Sequence, residues 1–167
     1  MVDAVDLYAV LQRIRPVHEL SARAVGHGLA GTELTVPLRA VLERLHIDGP
    51  QPVPAIARGL YVTRQGVQAL VDRAKDLGLV ESRPNPDHRR SHLVALTATG
   101  DALFTSVHTA ELERLTGLAG PLDSADVTAC VRVLDQLVTG LEHLADRPAR
   151  GATPATSTPE TTTRSQP

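Results

Sequence analysis

The sequence predicts a mainly α-helical α+β fold in which a small β-hairpin directly follows a pair of short helices. The first helix of the pair lies within 52–60; the second begins after Thr63, a good N-cap, and ends before Gly78, a natural helix-terminating residue. The helical apolar period then gives way to two strand-like segments, 79–83 and 91–97, on either side of a basic, turn-rich tip. Two short helices joined by a tight turn are typical of a helix-turn-helix, and the hairpin makes it a winged helix.

Two helices are predicted before this winged helix-turn-helix. Apolar residues recur at spacings of three and four over 2–25, where Pro16 predicts a kink or a late start and the glycines from Gly26 onward end the helix. Thr35 precedes the Val-Pro pair that opens the next helix. Its predicted buried stripe consists of Leu38, Val41, Leu42 and Leu45.

Two further helices and a tail complete the chain. Thr97 or Thr99 caps the first of these helices, Pro121 marks a break, and the last helix carries apolar residues in a near-heptad series. Residues 148–167 contain six Thr, four Pro and two Ser but no Leu, Ile, Val or aromatic residue. Such a segment cannot bury enough apolar surface to fold, so we expect a disordered tail after a folded domain that spans 1–147.

The composition of the 167 residues limits the classes of function. Aromatic residues make up only 2% of the chain, which argues against a surface that stacks on sugars or on single-stranded bases. The single cysteine, Cys130, excludes an intramolecular disulfide framework, and its place on an apolar stripe predicts a buried core or interface thiol. We find no apolar run long enough to span a membrane and no signal peptide, so we expect a cytoplasmic protein. No nucleophile elbow, phosphate loop or carboxylate dyad indicates an enzyme.

The net charge of −2 averages over two regions of opposite sign. Residues 58–92 contain seven basic and four acidic side chains, whereas 101–146 contain two basic and eight acidic ones. The basic region coincides with the helix-turn-helix and the hairpin. Because phosphate contacts supply most of the sequence-independent affinity for DNA, a DNA-binding surface is expected there, although a net +3 alone is equally compatible with chance segregation of charge.

A series of short motifs runs through the winged helix and its neighbours. In chain order they are Leu34-Thr35-Val36-Pro37, Ala57-Arg58, Val62-Thr63-Arg64-Gln65, Leu70-Val71-Asp72-Arg73, Gly78-Leu79-Val80, Asp87-His88-Arg89-Arg90 and Leu96-Thr97-x-x-Gly100. In this order and spacing they resemble the MarR-type winged-helix transcriptional regulators, over roughly residues 5–145. The resemblance implies a two-fold homodimer in which helices within 1–28 and 101–146 dimerise and each 32–100 lobe binds one half of a pseudo-palindromic operator in double-stranded DNA.

The resemblance also implies that the helix after Thr63 enters the major groove. We expect Gln65 and Gln68 to contact bases, because glutamine pairs with adenine edges. Arg64 is expected to contact a base or a phosphate. Thr63 is expected both to cap the helix and to contact a phosphate. For Arg73, a phosphate contact and a bond to a neighbouring side chain both remain open.

The hairpin tip is expected to act as the DNA-binding wing. Arg89 and Arg90 would reach the minor groove, whose negative potential favours a guanidinium group. Asp87 would orient Arg89 and shape the turn, and His88 would contact phosphate. The sequence departs from the family at Tyr61, where a glycine is usual in the turn of the helix-turn-helix.

The flanking helices carry apolar stripes that one small domain cannot cover by itself. The residues expected to dimerise are Leu7, Leu11, Val127, Val131, Leu134, Leu137 and Leu141. The resemblance further implies a repressor that a small-molecule effector releases from DNA by changing the spacing of the two lobes. We expect the effector around Arg15, His18, Leu42 and His46, and we expect no cofactor.

Two alternatives remain open. One is a winged helix that binds a protein and has no DNA role. The other is a metal-responsive regulator, because His108 and Glu111 lie one helical turn apart and His18, Glu43 or His46 could lie nearby. No HxxxH pair or cysteine cluster supports that second alternative, so no metal is expected.

Overall fold

A computed structural model describes residues 2–86, 88 and 90–146. Within them the chain forms six helices and one antiparallel hairpin: α1 (Ala4–Gly28), α2 (Val36–Asp48), α3 (Val53–Gly59), α4 (Arg64–Asp76), β1 (Val80–Pro84), β2 (His92–Leu96), α5 (Ala98–Ala119) and α6 (Ser124–Ala145). The mainly α-helical winged-helix prediction is confirmed. The predictions for Asp87, Arg89 and the tail 148–167 lie outside the described residues. The chain divides at Gly120 into two compact units.

The core of the first unit is built from the predicted stripe of α2 and the inward face of α4. The stripe of α2 (Leu38, Val41, Leu42 and Leu45) is buried, as are Val67, Val71 and Ala74 of α4. Phe104 of α5 is 1% exposed and completes this core. Removing these side chains from water fixes α4 against α2 and turns its other face, which carries the polar residues, outward.

Threonine caps set the starts of three helices. The hydroxyl oxygens of Thr35, Thr63 and Thr97 accept hydrogen bonds from backbone N–H groups three residues on, at 3.3, 3.1 and 3.0 Å. This pattern confirms the predicted caps and selects Thr97 over Thr99.

The first helix ends among the glycines that were predicted to end it. It begins at Ala4 and runs through Pro16 to Gly28, so only the late start is wrong. Proline removes the donor for the Gln12 carbonyl, but Gln12 is exposed and water can replace that donor.

The hairpin pairs Val80 with Leu96 and Pro84 with His92. It is also attached to the segment between α2 and α3, a link that the sequence did not predict. The N–H and carbonyl of Gln51 exchange hydrogen bonds of 3.0 and 2.8 Å with Val94. This short bridge ties β2 to the segment that leads into α3.

The junction of α4, the hairpin and α5 explains the Leu-Thr-x-x-Gly motif. Gly78 has φ +69°, and the Leu79 N–H returns to the Ala74 carbonyl at 2.9 Å, which closes a Schellman-type end of α4. The N–H of Thr97 donates to the Leu79 carbonyl at 3.0 Å, and its hydroxyl donates to the Gly78 carbonyl at 2.7 Å. A Cβ atom on Gly100 would lie 1.9 Å from the Leu79 oxygen, so only glycine fits there.

The second unit contains α6, which Asp123 caps through hydrogen bonds from Ala125 and Asp126 at 2.7 and 3.3 Å. Leu137 is buried, whereas most of the apolar stripe is exposed. Cys130 is exposed as well, so its assignment to the core is wrong and only its assignment to an interface stays a prediction. Across the described residues we find no helix with the length and hydropathy needed to cross a membrane.

Candidate nucleic-acid interface

A groove of about 320 Å³ lies between α4 and the hairpin. The α4 side is lined by Arg64, Gln68 and Lys75, which share one helix face because residues four and eleven positions apart project in nearly the same direction. Arg90 and His92 line the hairpin side, together with two serines. The groove therefore combines three permanent positive charges, a histidine and hydroxyl donors, a set suited to phosphate oxygens.

Four of the predicted recognition residues lie in or next to the first half of α4, and all four are exposed. They are Thr63, Arg64, Gln65 and Gln68. Arg64 and Gln68 line the groove, whereas Thr63 and Gln65 are not among its lining residues. The hydroxyl of Thr63 serves as the helix cap, which confirms that half of its expected role. The helix thus presents its polar N-terminal half to solvent while Val67 and Val71 hold it to the core.

Two residues farther along α4 have protein partners. The side-chain amide of Gln68 donates to Asp72 at 2.9 Å. The guanidinium of Arg73 lies 3.6 Å from the carboxylate of Glu33, in the segment between α1 and α2. The Arg73 pair is exposed on both sides, so it contributes little to stability and leaves the guanidinium available to a phosphate.

On the hairpin tip, His88 and Arg90 are exposed, and Arg90 lines the groove. The backbone carbonyl of His88 accepts from the Ser91 N–H at 2.9 Å and so closes the turn. Lys75 and His92 also line the groove, although they are not among the predicted DNA-binding residues. The seven-residue spacing from Gln68 to Lys75, two helical turns, was the signal that could have found Lys75.

The turn between α3 and α4 closes through Tyr61. Its φ of 54° lies in the left-handed region that glycine occupies at no steric cost. The Tyr61 N–H donates to the Arg58 carbonyl at 3.2 Å, and the Val62 N–H donates to the Ala57 carbonyl at 3.1 Å. The turn therefore has the backbone that a glycine would give, imposed here on a tyrosine.

A second concave site lies between α1 and α5, with a volume of about 680 Å³. Its walls are mostly apolar, with three charged residues among them. The apolar lining includes Val17, Leu20, Leu115 and Leu118, and the charged lining consists of Arg39, Glu111 and Arg114.

The four residues predicted to surround an effector are not part of this lining. Leu42 is fully buried in the core, and Nδ1 of His46 lies 2.8 Å from the Asp101 carboxylate in a separate, shallower depression. Arg15 and His18 are exposed on α1, two residues before and one residue after Val17, which does line the cavity. The cavity therefore lies between α1 and α5, whereas the predicted effector residues lie on α1 and α2.

Arg39 joins α2 to α5 at the edge of this cavity. Its Nε donates to Glu111 at 2.7 Å, its Nη1 donates to Glu43 at 2.7 Å, and its Nη2 also contacts Glu111. Burial opposes the charge of Arg39, but the hydrogen bonds with Glu111 and Glu43 outweigh it and raise the pKa of the guanidinium above its usual value. Both carboxylates named in the metal alternative are thus engaged by Arg39, and the described part of the chain holds no cluster of three or more metal-binding side chains.

The fold and the basic groove together define a winged helix-turn-helix of the class that binds duplex DNA. A protein-family model described as the MarR family matches residues 34–91. The crystal structure of a MarR family transcription regulator is similar over 85% of this chain and 94% of its own, with 30% identity and a TM-score of 0.72. The chain belongs to the MarR family of DNA-binding transcriptional regulators.

Two further relatives extend the comparison over nearly the whole chain. An uncharacterized protein of Mycobacterium tuberculosis is 33% identical over 86% of this chain and 93% of its own length. The transcriptional activatory protein BadR of Rhodopseudomonas palustris is 28% identical over 89% of this chain and 85% of its own. Both likenesses extend beyond the winged helix to the flanking helices.

Proposed function

We propose that this regulator binds a pseudo-palindromic DNA site of about two helical turns as a homodimer, and that it is a repressor which a small molecule releases. In this proposal α4 enters the major groove and the hairpin tip reaches the adjacent minor groove. The phosphate backbone between the two grooves lies along the surface that separates α4 from the hairpin.

The observation that carries the proposal is the convergence of Arg64, Lys75, Arg90 and His92 on one groove. These side chains come from α4 and from the hairpin, which are joined by the turn at Gly78. A phosphate between the two elements would accept hydrogen bonds from Arg64 or Lys75 on one side and from His92 on the other, which would fix the depth of α4 in the major groove. Arg90 would lie beside this phosphate and continue into the minor groove.

The roles of individual residues follow from their positions. Gln65 and Gln68 would contact base edges. Arg73 and His88 would contact phosphates. Arg64 would contact a phosphate or a base. The threonine at the helix start would add a phosphate contact to its cap. The tip arginines Arg89 and Arg90 would insert into the minor groove, with Asp87 orienting the first of them.

The exposed apolar faces of the flanking helices support the homodimer. Leu7 of α1 is exposed, as are Val127, Val131, Leu134 and Leu141 of α6, whereas Leu11 is half-buried and Leu137 is buried. Apolar stripes of this length are unusual on the surface of a monomer. In a dimer with a two-fold axis, the stripes of each copy would be covered by the same stripes of the other copy.

The DNA-binding test uses the duplex upstream of the chain's own gene, with fluorescence anisotropy measured over a range of salt concentrations. The logarithm of the binding constant should fall linearly with the logarithm of the salt concentration. Arg64→Ala, Arg89→Ala and Arg90→Ala should each weaken binding roughly tenfold or more and reduce the magnitude of the salt slope by about 2, because the homodimer loses the contact in both subunits. Arg132→Ala, on exposed α6, is the matched control and should leave both quantities unchanged.

A flat salt dependence, or full affinity in all three variants, would contradict the DNA proposal. The absence of duplex binding together with capture of a protein partner would favour the protein-binding alternative. A reporter gene behind the same DNA determines the sign of regulation. Deletion of the regulator should raise transcription, and a fall would make it an activator, as the name of the R. palustris relative states for that protein.

The cavity between α1 and α5 supports the effector part of the proposal. Apolar walls beside the Arg114 guanidinium suit an amphipathic aromatic carboxylate, so 2-naphthoate is a suitable probe. It should release the wild-type protein from DNA, and Leu115→Trp, which fills the cavity, should abolish that release.

Leu112→Trp is the matched control for this effector experiment. Leu112 and Leu115 are exposed to nearly the same extent, 52% and 53%, but only Leu115 lines the cavity. Equal responses of the two variants would show that the probe acts elsewhere.

A further inference from the structure

Gln68 and Asp72 form a hydrogen-bonded pair on the outward face of α4. The Nε2 amide of Gln68 donates to Oδ1 of Asp72 at 2.9 Å, and both side chains are exposed. An ionised carboxylate only accepts hydrogen bonds, so the bond places the NH₂ group of the amide toward Asp72 and leaves the Oε1 atom to other partners. A side chain that is expected to contact a base is therefore already oriented in the free protein.

This orientation changes what the amide offers to DNA. An unrestrained glutamine presents a donor and an acceptor and pairs with both groups on the adenine edge. Here Gln68 donates one of its two N–H groups to Asp72, so the amide offers DNA a single donor and the full accepting capacity of Oε1. Asp72 adds a second acceptor beside it, and its negative charge repels the acceptors of guanine and the carbonyl of thymine in the major groove.

We propose that Asp72 is a positioning residue that sets the base preference of α4 through Gln68. The pair selects an amino base, adenine or cytosine, over a keto base, guanine or thymine, at one position of the contacted strand in each half-site. Lys75 lies on the same helix face and attracts phosphate whatever the base, and Arg64 lies one helical turn before Gln68, so discrimination at this position falls to the amide and the carboxylate. This inference rests on the proposed function, because it concerns DNA bound by the same helix.

The test measures base preference, which a purely structural role of Asp72 would not change. The wild type, Asp72→Asn and Asp76→Asn are titrated with operator duplexes in which each half-site position is replaced by all four base pairs. Asparagine at position 72 keeps the size of the side chain but carries both a donor and an acceptor, so the amide of Gln68 can pair with it in either orientation. Asp76→Asn removes the same charge one turn farther along α4, outside the Gln68–Asp72 pair.

Both variants should bind every duplex more tightly, because each loses a negative charge from the DNA-binding helix. Only Asp72→Asn should lower the preference for an amino base at one position, from roughly tenfold to about twofold. Gln68→Ala should lower the preference at the same position, and the double variant should lower it no further than Gln68→Ala alone. Circular dichroism melting curves establish that each variant is folded.

The outcomes separate this inference from the proposed function. If Asp72→Asn keeps the wild-type preference at every position, the inference is wrong while DNA binding stands. A keto preference at the position that Gln68→Ala affects would also overturn it. If the wild type distinguishes no operator duplex from random duplex DNA, the proposed function fails, and this inference fails with it.

Discussion

The winged-helix lobe and α6 bury their apolar side chains to very different extents. In α2 the whole predicted stripe is buried within the chain, and α4 buries its inward face in the same core. In α6 only Leu137 is buried, while the other large apolar residues of its stripe are 37–63% exposed. Each fully buried aliphatic side chain contributes about 1.5–3 kcal/mol, so the lobe is stabilised by its own chain and α6 still has stabilisation to gain from a partner.

This difference predicts two kinds of stability in one protein. Unfolding of the lobe should depend on close contacts within one chain and should not vary with protein concentration. Order in α6 should depend on assembly and therefore on concentration. Substitutions placed in each region can break or sharpen that contrast.

The largest effect is expected at the junction that holds the lobe together. Gly100→Ala places a Cβ atom 1.9 Å from the Leu79 carbonyl oxygen, a backbone atom that cannot rotate away. The backbone must separate there, which also strains the Thr97 N–H bond to the same oxygen. We expect a loss of about 3 kcal/mol or more in the free energy of unfolding, measured by urea denaturation.

Gly117→Ala is the matched control in the same helix. No atom lies within 4 Å of a Cβ at Gly117, and alanine favours a helix interior, so this variant should gain about 0.5–1 kcal/mol. Equal stability of the two variants would mean that the tight junction is absent in solution.

A smaller effect is expected at α6, and it should appear in assembly rather than in folding. Val131 is 53% exposed in the single chain, so Val131→Lys should leave the monomer folded. A lysine covered by a second copy loses its hydration, which should raise the dimer dissociation constant by on the order of a hundredfold. Light scattering coupled to size-exclusion chromatography measures the change.

Thr139→Lys adds the same charge to the polar face of α6 and should remain dimeric. If Val131→Lys also remains dimeric, this stripe is not the interface, and the contrast between the two regions would need another explanation. If the lysine unfolds a dilute monomer, the exposure of Val131 in the single chain is itself wrong.

The predictions that are confirmed concern contacts between residues that are close in the sequence. Thr63 and Gly78 bound α4 through hydrogen bonds that span three to five residues, so a local pattern was sufficient. The bonds between Arg39 and Glu111 join residues 72 positions apart, and periodicity carries no information on such a pairing.

The wrong predictions have the same origin. The stripe that contains Cys130 correctly indicated an apolar helix face, but a stripe does not specify whether its own chain or another one covers it. The expected effector residues lie on α1 and α2, because the periodicity of a sequence does not specify how α1 packs against α5. Leu42 belongs to the same regular stripe as its neighbours and is buried with them, away from the cavity lining.

The smallest expected effect tests the backbone of the turn before α4. Tyr61 has a φ of 54°, which costs a residue with a Cβ atom about 1 kcal/mol relative to glycine. Tyr61→Gly and Tyr61→Ala both remove the ring and its contacts, so their difference isolates the backbone. The glycine variant should be more stable than the alanine variant by about 1 kcal/mol in urea denaturation. An alanine variant as stable as the glycine variant would mean that the turn relaxes to another conformation. The position of α4 against DNA should then change as well. In that case the operator affinities of Tyr61→Gly and Tyr61→Ala, measured on the same proteins, would differ.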